Sequence, residues 1–166
     1  MLHAVDNPSW SKWFDRFKNR ALSYQDMDDI IDPVIKDTVR LFNHISGVAT
    51  VFSCQGHPYE QDRHGAVQLG PDKGYIMLVV NDDKTQYTLT KTLNIINAAL
   101  WAAKEDSVMF DIELSLTSGM NDILMPSHHA YPSITIRTPL FTDVECRNLW
   151  WCEFHSKLEE VCQANI

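Results

Sequence analysis

The side chains best suited to chemistry in this chain are thiols and imidazoles, and they form two Cys-x-x-His pairs. Cys54 and His57 lie in the run Ser53-Cys54-Gln55-Gly56-His57-Pro58, and Cys152 and His155 lie near the C-terminal end. Two such pairs supply the four ligands of a tetrahedral zinc site, and an i, i+3 spacing puts Cys152 and His155 on one helix face. Cys152 falls roughly ten residues into the expected last helix, about 15 Å along its axis, so the Cys54 loop has to fold back to reach it. Without metal, Cys54 reads as a small hydrophobe ending a buried strand. It also reads as a nucleophile, activated by His57 and the positive end of a neighbouring helix.

Binding asks less of the same residues. Gly56 permits a tight turn, Ser53 and His57 offer hydrogen bonds, and a helix N-terminus receives an anion. Tyr59, Arg63 and His64 follow on the same loop, where Arg63 can pair with a phosphate. The expected ligand-binding set is therefore Ser53, Cys54, Gly56, His57, Tyr59, Arg63 and His64, and a small anion such as a nucleotide suits it. No cofactor is required; zinc on Cys54, His57, Cys152 and His155 is the alternative. His128-His129 on a Pro-flanked loop read as solvated residues, with a metal or proton-handling pair as the alternative. Asp111 and Glu113 project from one strand face, a pair that suits acid–base work, and read otherwise as charges on a wet sheet face or as partners of Arg137 on the next strand.

The elements that must position these groups follow from hydrophobic period and punctuation. Trp10, Trp13, Phe14 and Phe17 form an i, i+3, i+4, i+7 stripe on an N-terminal amphipathic helix. Residues 1–25 are expected to pack on the domain or to detach for a partner or a second copy, with those four aromatics as the oligomer contact. Asp32-Pro33 reads as an N-cap followed by proline at the first helical position, and Ser46-Gly47 ends that helix. Ala49–Ser53 reads as a strand. Tyr75–Val80 is apolar almost throughout, which predicts a central strand buried on both faces. A helix from about Thr88 to Lys104 follows, then alternating strands around Ile112 and Ile134–Ile136. Thr142-Asp143-Val144-Glu145 reads as a capping box opening a last helix to about Gln163.

The expected fold is a single α+β domain over residues 1–166. Its element order is ααββαββα: a four-stranded, mainly antiparallel sheet with helices packed on one face. If the second and third strands run parallel through a crossover helix, Cys54 and His57 neighbour the start of the last helix.

Composition bounds the function. The chain has 166 residues, 45% of them hydrophobic, and a net charge of −8. Acidity argues against direct nucleic-acid binding, because phosphate neutralisation by cations supplies most of that affinity. It permits binding to a basic surface instead. No apolar run spans a bilayer and no signal-peptide profile opens the chain, so a cytoplasmic protein without a membrane partner is expected. Four cysteines in such a compartment are expected to stay reduced.

The run Ser53-Cys54-Gln55-Gly56-His57, between two strands, resembles small phage and prophage proteins with an S-C-x-G-H signature and a Trp-containing C-terminal helix, matched here by Trp150 and Trp151. The run is also similar to the S-S-C-S-G-R signature of the wybutosine-synthesis methyltransferase family, which modifies a guanine in transfer RNA. Phe52, Gln55 and His57 replace two of its serines and its arginine. The first resemblance implies an accessory binding protein acting in the host cytoplasm, with counter-defence as the analogous role. It would sequester a small anionic ligand or inhibit a host protein. The alternatives are an enzyme using Cys54 and His57, and an acidic mimic that occupies a nucleic-acid-binding surface.

Overall fold

The computed structural model describes residues 8–27, 29–56, 73–81, 88–102, 111–118, 130–141 and 143–164. The elements are α1 (Pro8–Tyr24), a 3-10 turn (Pro33–Ile35) running into α2 (Lys36–His44), β1 (Val48–Cys54), β2 (Tyr75–Val80), α3 (Thr88–Ala102), β3 (Asp111–Ser118), β4 (Ala130–Arg137) and α4 (Val144–Ala164). Strand order is β1-β2-β4-β3, and every neighbouring pair is antiparallel.

This corrects the expected fold in two respects. The described core rests on three antiparallel strands, β1, β2 and β4, together with four helices; β3 joins as an edge ladder on β4. The helices also do not share one face. Ile35, Val39 and Phe42 of α2 and its entry turn pack with Ile96 and Leu100 of α3 and Trp151, Phe154 and Leu158 of α4 over Ile76, Leu78 and Ile134. On the opposite face Phe14, Phe17 and Ala21 of α1 cover Ala49 and Val79. The cause is in β2: strand side chains alternate between faces, and β2 is apolar on both, so burying Val79 as well as Leu78 demands a second layer.

β1 is a sheet edge, and its backbone groups need partners other than a strand. Two side chains supply them. Asn43 Oδ1 accepts the Thr50 N–H at 2.8 Å. Lys18 Nζ, reaching over from α1, donates to the carbonyls of Asn43, Ile45 and Val48. One ammonium thus ties α1 to the end of α2 and the start of β1. Among the described residues, no helix is long and apolar enough to cross a membrane.

Candidate functional site

The functional features gather on the C-terminal half of β1. Thr50 stands opposite Leu78 and Phe52 opposite Met77, which leaves Val51 as the extra residue of a β-bulge. A bulge bends its strand and re-aims the following side chains. Beyond it the strand borders a cleft of about 340 Å³ between α1, α2 and the turn joining them.

The cleft walls are apolar. Phe17, Ala21 and Tyr24 recur at i, i+4 and i+7, which puts them on one face of α1; Ile30 and Ile31 close the opposite side. Phe52 borders the opening and remains 47% exposed. The floor holds the polar groups. Asn43 is buried and committed on both sides, accepting from Thr50 N and donating to Gln25 Oε1 at 3.3 Å. The Thr50 hydroxyl beside it is buried and has no hydrogen-bond partner. Arg20 supplies the charge. Its guanidinium lies 5.2 Å from the Tyr24 ring centroid, a cation–π contact, and no carboxylate among the described residues pairs with it. Arg40 is different: Asp26 and Asp37 hold it at 2.8 and 2.7 Å, and their hydrogen bonds raise its pKa.

Where the strand ends, the chain is clamped from three directions. Asp32 Oδ2 accepts the Gln55 N–H at 2.9 Å, Trp151 Nε1 donates to the Gln55 carbonyl at 2.9 Å, and Arg147 Nη1 donates to the Gly56 carbonyl. Gly56 sits at φ +90°, a left-handed conformation that glycine adopts without strain. Its N–H donates to Cys54 Sγ at 3.4 Å. Gly74 passes close enough that a Cβ there would meet the Gln55 carbonyl oxygen at 2.5 Å. Arg147 is only 3% exposed, and the Asn148 side-chain oxygen accepts from its Nε and Nη2.

One sequence expectation about caps is corrected, and the other, on Thr142, lies outside the described residues. Asp32 makes no side-chain cap at the helix it precedes; its carboxylate is spent on Gln55. The α4 cap is Asp143, whose Oδ1 accepts the Cys146 N–H at 2.8 Å, and that bond lowers the Asp143 pKa.

Of the expected ligand set, Ser53 lines the cleft. Cys54 and Gly56 belong to the clamp, beside the first turns of α4. His57, Tyr59, Arg63, His64 and His128-His129 lie outside the described residues. For zinc, Cys152 is exposed, and the Nδ1 of His155 is buried without a partner. Among the described residues no three His, Cys, Asp or Glu side chains are placed to hold a metal ion. None of the four cysteines forms a disulfide. Phe14 and Phe17 are turned into the sheet, leaving them unavailable to a second copy while α1 is docked.

Sequence reasoning missed Arg20, Asn43, Thr50 and Arg147, and it read Asp32 as a helix cap and Trp151 as a helix tryptophan, not as partners of Gln55. One of them carried a readable signal: Arg20 precedes Tyr24 at i, i+4 next to the apolar stripe of α1. The partners of Gln55 and Gly56 come from up to 96 residues away and have no local signature.

No family model matches the chain, and no curated protein matches it. Among solved structures it is similar to the PH1069 protein of Pyrococcus horikoshii, at 14% identity and a TM-score of 0.44, over 92% of this chain and 95% of that one.

Proposed function

We propose that this chain is a small accessory binding protein that holds a small anionic ligand in the cleft beside β1. The observation that carries this reading is Arg20, a cation at an apolar cleft without a carboxylate partner among the described residues, in a protein of net charge −8. Ligand sites are concave, mostly apolar and furnished with a few placed polar groups, and about 340 Å³ lies at the small end of their range. Sequestering such a ligand in a host cell is the role that suits a protein of the phage type its Ser53–His57 run resembles.

The test is an amide chemical-shift titration with adenosine monophosphate and with simple carboxylates at low salt. Saturable shifts at Thr50–Ser53 and along α1, weakened by Arg20→Gln, support the reading. Shifts confined to other surfaces would sink it.

A second reading is a thiol-dependent reaction at Cys54, favoured by the Gly56 N–H donating to its sulfur. Substitution of Cys54 by Ser separates the two: a binder keeps its affinity, whereas an enzyme loses turnover.

A further inference from the structure

The chemistry of the cleft narrows its ligand further. We infer that the ligand is a flat aromatic acid carrying a single negative charge, its ring between Phe17, Tyr24 and Phe52 and its anionic group on Arg20. This rests on the cleft being the binding site. Three observations define the class.

The first is charge. Among the described residues that line the cleft, Arg20 is the only one with a guanidinium or ammonium group. Of the neighbouring basic side chains, Arg40 is neutralised by Asp26 and Asp37, and the Lys18 ammonium is spent on the carbonyls of Asn43, Ile45 and Val48. A di- or triphosphate brings several charges and needs several cations or a metal to offset them. Here it would meet one cation on an acidic protein, so the site matches one charge.

The second is shape. Rings stack favourably on rings and on guanidinium planes, and this cleft is lined by the stacked Arg20–Tyr24 pair, by Phe17 and Phe52, and by aliphatic Ile30 and Ile31. A flat ring fills such a slot with little loss of conformational entropy. A flexible chain of the same area loses more on binding.

The third is the Thr50 hydroxyl, a buried polar atom without a partner at the cleft floor. Buried polar groups are nearly always hydrogen-bonded. A rotation about χ1 turns this hydroxyl into the cleft, where a ring substituent that donates or accepts a hydrogen bond satisfies it. Thr50 is therefore a specificity-determining residue, favouring hydroxylated aromatic acids over the bare ring.

The experiment titrates the full chain, by amide and aromatic chemical shifts, with 2-naphthoate, its neutral isostere 2-naphthamide, 6-hydroxy-2-naphthoate and adenosine triphosphate. The expected order is 6-hydroxy-2-naphthoate tightest, 2-naphthoate next, and the amide about tenfold or more weaker than the naphthoate. Adenosine triphosphate stays weaker than the acids. Arg20→Gln removes the difference between acid and amide, and Thr50→Val removes the difference between the two acids while leaving the fold intact. If acid and amide bind wild type equally, or adenosine triphosphate binds tightest at the same cleft residues, the ligand class is overturned while the cleft remains a site. If no probe shifts Phe17, Tyr24 or Phe52, the cleft reading itself falls.

Discussion

Asn43 Oδ1 accepts the main-chain N–H of Thr50 at 2.8 Å, so the last turn of α2 closes the edge of β1 at the floor of the cleft. The bond does in one place what a further strand beside β1 would otherwise do, and its other half, Asn43 Nδ2, reaches Gln25 beyond α1. Replacing Asn43 with Ala leaves Thr50 N without its acceptor. Loss of a buried hydrogen-bond partner costs about 1–3 kcal/mol, so equilibrium urea unfolding of Asn43→Ala should show a lower midpoint. An unchanged midpoint would mean that the edge is closed by other means.

The clamp at the strand end makes a separate prediction. Trp151→Phe keeps an aromatic body in the core but removes the donor to the Gln55 carbonyl. A loss of about 1–3 kcal/mol from the orphaned carbonyl is expected, plus a contribution from the smaller ring. Amide exchange at Gln55 and Gly56 should accelerate more than exchange in β4.

Gly74 tests the same junction from the β2 side. Its N–H donates to Thr138 Oγ1 at 2.8 Å, its carbonyl accepts from Thr138 N at 2.8 Å, and a Cβ would press on the Gln55 carbonyl. The Gln55 backbone and the buried Trp151 ring, 3.0 Å from that Cβ, leave no room to yield. Gly74→Ala should therefore be strongly destabilising in thermal unfolding.

Much of the element pattern is legible in the residues, and the layering is the instructive failure. The uninterrupted apolar run Tyr75–Val80 already required cover on both faces, and the Phe14–Phe17 stripe was the only unassigned apolar face available to provide it. Reading the two together would have placed α1 opposite the other helices. The caps show a different limit. Asp32 has the right chemistry at the right spacing, yet it turns to Gln55, because a tertiary neighbour competes for its carboxylate and spacing alone does not register that neighbour. The cleft has no motif at all. It arises where a bulge in β1 meets two helices that arrive on different faces.

Lys18 gives the pH prediction. Burial pushes its ammonium down to about 8 from an ordinary 10.5. A lowered folded-state pKa means that the unfolded chain binds more protons between those values, so this group's contribution to stability rises with pH across that window. Below about 8 both states are protonated and the contribution is flat. The difference in unfolding free energy between wild type and Lys18→Met should grow in favour of wild type from about pH 7 to about pH 10. A difference that shrinks would mean that the three carbonyls hold the proton more strongly than burial expels it.

The most direct test of the ligand cleft is to locate a bound aromatic acid by intermolecular nuclear Overhauser effects. With 2-naphthoate at saturation, ring protons should show contacts to Phe17, Tyr24 and Phe52 and to the methyl groups of Ile30 and Ile31. Arg20→Gln should lose these contacts at the same ligand concentration. Contacts to Trp151 and the α4 end of β1 instead, with none in the cleft, would contradict the account.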